Sequence, residues 1–196
     1  MTLFIMLVSG FVTYELFSEW KAAQAIYLWT PHEATQALGL GSHEGWIKGI
    51  WTLFIVPSVL WMILGGLVVL LRGARNLGEA WRRLALPLVV LVSAGHMAKG
   101  LAKVSSWGGY LPMAMKEPRG TNSAAAIAAG TMDKPASWMP LMLVSVLSLL
   151  LLAAMSSWSL RESRLADPET HWTRMPSILV AALASAFLIF GWGFLG

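Results

Sequence analysis

Five long apolar segments, separated by short polar stretches, dominate the order of hydrophobic and polar residues along the chain. Most of them approach the roughly 20 residues that an α-helix needs to cross a hydrocarbon core of about 30 Å. The pattern predicts an all-α integral membrane protein with a single transmembrane domain over residues 1–196. About five transmembrane spans are expected, at residues 2–19, 46–71, 84–107, 138–160 and 176–196.

Residues that cap or interrupt helices refine this pattern. Thr30-Pro31-His32-Glu33 combines a capping threonine, a proline at the first helical position and a glutamate three residues after the cap, and Gly39 follows as a stop. Residues 122–129 are a second candidate segment, which the glycine stop at Gly130 follows. Both predict short interfacial helices in the outer loops. Pro57 lies inside the second span and predicts a kink, because proline lacks the backbone N–H of an intact helix.

The composition supports the membrane class and excludes several kinds of chemistry. Hydrophobic residues make up 57% of the chain and charged residues 12%. The mean hydropathy is +0.64, a value typical of membrane proteins rather than soluble domains of this size. The chain has no cysteine, so it cannot form disulfides, ligate iron–sulfur clusters through thiolates or attach haem covalently. Its basic residues are dispersed, so we expect no nucleic-acid partner.

The distribution of basic residues between the loops predicts the orientation of the chain. The loops after spans two and four together hold seven arginines: Arg72, Arg75, Arg82, Arg83, Arg161, Arg164 and Arg174. The opposite loops hold fewer basic residues: Lys21, Lys48, Lys116, Arg119 and Lys134. Because loops rich in lysine and arginine stay in the cytoplasm, we expect a multi-pass protein of the bacterial inner membrane. Its N-terminus is cytoplasmic and its C-terminus periplasmic.

The third span carries the main candidate site, a polar stripe along one helix face. At about 100° per residue, its members fall within an arc of roughly 140°: Ser93, His96, Lys99, Lys103, Ser106 and Trp107. Counted from Leu84, His96 lies about 18 Å into the bilayer core, Lys99 about 22 Å and Lys103 about 28 Å. Next to the stripe is a row of small residues where another helix can approach: Ala94, Ala98 and Ala102.

The depth of these residues makes the stripe a candidate cofactor-binding surface. A charge near the midplane costs about 2.5–3.5 kcal/mol on insertion scales, so a residue kept there is a candidate for function. Lys103 is close enough to the interface to extend its ammonium into water. The candidate cofactor-binding residues are Ser93, His96, Lys99 and Lys103.

Two interpretations of the stripe remain open at the level of sequence. In the first, a neutral His96 hydrogen-bonds a neighbouring helix, and Lys99 pairs with a carboxylate of a partner subunit. In the second, His96 donates a hydrogen bond or a proton to a quinone carbonyl, and Lys99 supplies positive potential. Haem ligation is disfavoured because no other histidine lies at the depth of His96. For Glu15 and Glu19, at the outer end of span one, we expect a solvated helix end rather than the start of a proton path.

Two runs of sequence carry a resemblance to a known family. GWIKGIWTLFIVPSVLW and GHMAKGLAKVSSWGGYLPMAMKEPRG, within residues 45–120, resemble the hydrophobic region of bacterial polyferredoxin-type membrane proteins. Those proteins carry 4Fe–4S motifs and move electrons between quinol and other carriers. The family's cysteine motifs are missing from this chain, so none of its cluster ligands can be transferred. The resemblance implies that the chain is the membrane part of such a system, with clusters or haems in partner subunits.

The expected function follows from the stripe and the resemblance together. We expect a membrane-anchoring subunit of a bacterial respiratory electron-transfer complex, which contributes to a quinone-facing or cofactor-facing surface around His96 and Lys99. Its expected partners are other membrane and redox subunits and the lipid bilayer, and the chain itself is an accessory to the catalytic subunits. Two alternatives are a transporter or channel component, in which the third span lines a proton or anion path, and a purely structural anchor.

Overall fold

Helices make up the fold in the computed structural model, which describes residues 1–131 and 135–195. In this part of the chain, 83% of the residues are helical and none lies in a strand. The prediction of an all-α membrane protein is therefore confirmed. Lys134, one of the basic residues used to predict the orientation, lies outside the described residues. The α-helices follow one another in this order: α1 (Thr2–Ser18), α2 (Lys21–Ala37), α3 (Glu44–Ile50), α4 (Val56–Leu70), α5 (Leu77–Gly108), α6 (Leu111–Lys116), α7 (Thr121–Ala128), α8 (Leu141–Ala166) and α9 (His171–Phe194).

The long helices correspond to the expected spans. α1 is an apolar helix of 17 residues, about 26 Å long. α5 begins at Leu77 rather than at residue 84, because Asn76 caps it by accepting a hydrogen bond from the Glu79 N–H at 3.0 Å. Among the described residues, four helical segments are long and apolar enough to cross a membrane: Gly41–Leu70, Leu77–Gly108, Leu141–Ala166 and His171–Phe194.

The second span is one continuous helical segment with an irregularity just before Pro57. A π-helical turn, Trp51–Ile55, connects α3 to α4, and backbone N–H groups in such a turn bond five residues back. α1 packs closely on this turn, because a Cβ added to Gly10 would overlap the carbonyl oxygen of Thr52. The irregularity expected at Pro57 is thus a π turn just before it, and α1 packs against this turn.

The first loop helix differs from its prediction. α2 begins at Lys21 rather than at Thr30, and Pro31 lies inside it. The reason is a buried face with four-residue spacing, formed by Ala23, Tyr27, Pro31 and Thr35. Packing of this face stabilises the helix across the proline and overrides the local capping signal. The predicted stop is confirmed, since Gly39 has a φ of +65°.

The part of the third loop that the structure describes contains two helices where the sequence predicted one. α7 and the stop at Gly130, with a φ of +66°, agree with the prediction, whereas α6 is additional. Glu117 caps α7, because its carboxylate accepts hydrogen bonds from the N–H groups of Asn122 at 2.6 Å and Ser123 at 3.0 Å. These bonds favour the charged carboxylate and so hold the pKa of Glu117 below its usual value. The bond from the Asn122 N–H has the largest effect.

α5 is the central helix of the bundle and packs against α1, α4, α8 and α9. Trp61 and Trp192 are fully buried at these contacts. In a membrane, close packing and interhelical hydrogen bonds take over much of the stabilising role of the hydrophobic effect. Serine hydroxyls donate such bonds to carbonyl oxygens of other helices: Ser145 to Ile189 at 2.6 Å, Ser159 to Pro87 at 2.9 Å and Ser177 to Leu64 at 2.8 Å.

Candidate functional site

The candidate site lies between α1 and α5, which approach each other through small residues. A Cβ added to Gly95 of α5 would lie 3.0 Å from Val12 Cγ1 of α1, closer than most side-chain contacts, so the missing side chain of glycine eases this close approach. The row of small residues expected from the sequence is buried along α5: Ala94, Ala98 and Ala102. Small residues let helix backbones approach in a membrane. Polar side chains on the two helices can therefore reach one another directly.

Lys99 is buried and bonded to the end of α1. The residue is 5% exposed, and its Nζ bonds the Glu19 carboxylate, the Ser18 Oγ at 3.2 Å and the Glu15 carbonyl oxygen at 3.4 Å. An ammonium has three N–H donors, so these three acceptors satisfy it. The expectation of a carboxylate in a partner subunit was wrong, because α1 of the same chain supplies it.

His96 lies about one turn before Lys99 on α5 and is paired with α1 as well. Its Nδ1 is 2.9 Å from Glu15 Oε2, yet the imidazole side chain is 62% exposed. The histidine therefore bonds a side chain of a neighbouring helix, as in the first of the two interpretations, but it does not face the bundle interior. The expectation that Glu15 and Glu19 form a solvated helix end was wrong, because both carboxylates bond basic side chains of α5. We call Glu15, Glu19, His96 and Lys99 the charged face.

The other two candidate residues lie at the edges of the charged face. Lys103 is one turn beyond Lys99, and its Nζ lies 5.4 Å from the centre of the Trp107 ring, a distance typical of a cation–π contact. A cavity of about 240 Å³ is lined by both Lys103 and Glu19. Ser93, at the other edge, is exposed.

The charged face lies inside the expected hydrocarbon core. If Arg83 marks one boundary of the core, about 20 residues place the opposite boundary near Lys103. Lys99 then lies about 6 Å and His96 about 10 Å inside that boundary. A lone charge at this depth is costly, so the Lys99 ammonium requires a carboxylate partner such as Glu19.

A second polar cluster, which was not predicted from the sequence, joins the end of α8 to the start of α9. Arg174 is buried, and its Nη2 donates to the carbonyl oxygens of Ser163 at 3.0 Å and Asp167 at 2.9 Å. The Asp167 carboxylate also bonds the Thr170 hydroxyl, and this bond is the main reason why the pKa of Asp167 lies below its usual value. The signal in the sequence was the short Asp167-Pro168 connection followed by an arginine. The cluster fixes the turn between the two helices.

The charged face can hold a proton or a polar group of a small molecule more readily than a metal ion. Among residues 1–131 and 135–195, no three histidine, aspartate or glutamate side chains lie close enough to hold a metal ion. Two carboxylates, one bonded to the His96 imidazole and one to the Lys99 ammonium, instead give a row of groups that can exchange protons or hydrogen bonds. Comparisons with protein-family models, with characterised proteins and with solved structures find no match. The function must therefore be argued from this geometry.

Proposed function

We propose that the chain is a membrane-anchoring subunit of a bacterial respiratory electron-transfer complex, in which the charged face contributes to a quinone-facing surface. In this proposal the chain lies in the inner membrane with its N-terminus in the cytoplasm, and partner subunits hold the clusters or haems. The observation that carries the proposal is the Glu15–His96 hydrogen bond. It leaves a histidine that is fixed by a carboxylate and is still 62% exposed at a membrane-embedded position.

The Glu15–His96 pair suits proton exchange with a quinone carbonyl. Reduction of a quinone to a quinol takes up two electrons and two protons, and the electrons come from a cofactor in a partner subunit. Glu15 occupies Nδ1 of His96, so Nε2 is the ring nitrogen left for a second partner. A carboxylate on one ring nitrogen fixes the orientation of the ring. His96 can then donate a hydrogen bond or a proton to a quinone oxygen through Nε2.

The Glu19–Lys99 pair extends this surface toward the outer loops. Lys99 keeps a positive charge beside His96, and Glu19 compensates it inside the bundle. The 240 Å³ cavity beyond the pair is lined by Glu19, Lys103 and several serines, and a polar cavity of this size has room for water. In the proposal, protons reach His96 from this cavity along the two carboxylates, which are one helical turn apart on α1.

The experiment that tests this function is purification of the native complex in mild detergent from the source bacterium. We expect redox subunits to copurify with the chain and quinol-dependent turnover to fall in the His96→Leu and Lys99→Met variants while subunit retention is preserved. The matched control is Leu101→Met, which lies outside the charged face and conserves volume. Isolation of the chain as a simple homo-oligomer, or full turnover in both variants, would contradict the proposal.

A proton path is the second candidate function, and the charged face itself favours it. Two acid–base pairs in succession, next to a polar cavity, are the groups that a proton path requires. Proteoliposomes that contain the chain alone distinguish the two functions. Proton flux driven by a potassium diffusion potential, and abolished by Glu15→Gln, supports the path. A proton flux no greater than that of empty liposomes supports the quinone-facing surface.

A further inference from the structure

A long apolar cavity of about 610 Å³ lies apart from the charged face. Its walls come from α1, α2, the π turn, α4, α5 and α9, and none of the four residues of the charged face lines it. The hydroxyl groups in its lining already donate to backbone carbonyls within α1 and α9: Ser9 to Met6 at 2.6 Å, Thr13 to Ser9 at 2.7 Å and Ser185 to Ala181 at 3.0 Å. The cavity therefore offers an occupant mostly hydrocarbon contacts.

The lining of the cavity extends along the helix axes. Its lining residues on the second span run from Trp51 to Leu64, a distance of about 20 Å along a helix. Those on α1 run from Ser9 to Trp20, about 17 Å. A volume of 610 Å³ with an apolar lining of this extent has room for a hydrocarbon chain that lies along the helices.

The cavity begins at the level where lipid headgroups begin. About 20 residues fill the hydrocarbon core, so counting back from Arg72 places the opposite boundary near Trp51. From there the cavity reaches about 20 Å inward, a little more than the half of a 30 Å core that the acyl chains of one leaflet occupy. The π turn Trp51–Ile55 lies at this mouth, and such turns are frequent at functional sites.

The mouth and rim of the cavity suit a phospholipid. Ile26, Ile63 and Phe187 line the cavity and are also exposed on the surface of the bundle, so a chain can enter sideways from the bilayer. Lys21 is exposed and lies in the sequence between two lining residues, Trp20 and Ala22. Its long side chain can reach a phosphate held at the mouth, because lysines near an anionic surface attract lipid headgroups.

We propose that this cavity binds one acyl chain of an anionic phospholipid, whose phosphate lies against Lys21. The lipid comes from the leaflet on the side of α2. It fills the space between α1, α4 and α9, which the protein leaves open, and so joins these helices. The proposal is independent of the quinone-facing surface, because the two sites share no residue.

Native mass spectrometry of the full chain tests this proposal. The protein is first placed in nanodiscs of phosphatidylglycerol and phosphatidylcholine, and then transferred to a mild detergent. We expect one phosphatidylglycerol to remain bound per chain. Ala184→Phe places a ring into the cavity from an exposed lining position and should remove this lipid. Ala154→Phe is the matched control, at an exposed position on α8 outside the cavity, and should retain it.

A second pair of variants tests the headgroup contact without changing the cavity. Lys21→Gln should weaken the preference for phosphatidylglycerol over phosphatidylcholine about fivefold, as expected for one basic residue near a lipid phosphate. Lys116→Gln, an exposed lysine of α6 on the same side of the bundle, should leave the preference unchanged. Retention of the lipid by Ala184→Phe, or its complete displacement by a short-chain ubiquinone, would overturn the proposal.

Discussion

Removal of the Glu19 carboxylate tests whether Lys99 is held as a charge inside the bundle. Lys99 is 5% exposed, and within the described part of the chain Glu19 is the only carboxylate that pairs with it. Glu19→Gln keeps the shape of the side chain but leaves the ammonium uncompensated. Truncation of one side of a buried pair costs about 3–5 kcal/mol, and we expect about 3 kcal/mol because the environment of Glu19 is partly open. For a chain of this size, the loss lowers Tm by about 6–12 °C.

The assay is thermal unfolding in detergent, followed by tryptophan fluorescence. Glu19→Gln combined with Lys99→Met removes both charges, so the double variant should be more stable than Glu19→Gln alone. Leu101→Met should leave Tm nearly unchanged, since the substitution conserves volume. An unchanged Tm for Glu19→Gln, or a double variant less stable than the single one, would refute the reasoning.

Three further predictions follow from the helices and loops. Reporter fusions after Arg75 and after Arg119 should report the cytoplasm and the periplasm respectively, and the same compartment for both would contradict the span assignment. Glu117→Gln should speed hydrogen exchange at the start of α7. In the wild type this protection should hold near neutral pH and be lost as the pH falls through the lowered pKa of Glu117. Purified alone, the chain should show no Soret absorbance, whereas a stoichiometric b-type haem spectrum would contradict the depth argument for His96.

The helices and the polar stripe could be predicted because they depend on local sequence. Each apolar segment is close to the length that a bilayer requires, and Gly39 and Gly130 stop helices as glycines with positive φ commonly do. The stripe around His96 and Lys99 follows from helical periodicity alone.

The partners of the stripe could not be predicted, because they depend on how two helices are rotated against each other. Glu15 and Glu19 have the spacing of an ordinary polar helix end, and the packing of α1 against α5 near Gly95 brings them to His96 and Lys99. α2 is a similar case, since the packing of its buried face outweighs a clear capping signal at Thr30. The apolar cavity is formed by several helices at once, so no single segment of sequence carries its signature.

The most direct test of the quinone-facing surface is photolabelling of the chain in nanodiscs with an azido derivative of a short-chain ubiquinone. Peptides of α1 and α5 that contain Glu15 and His96 should be labelled, and excess unmodified ubiquinone should compete. His96→Leu should reduce labelling strongly, and His96→Gln should reduce it less, because an amide can still donate a hydrogen bond. Labelling of these peptides that is equal in the wild type and in His96→Leu would contradict the account.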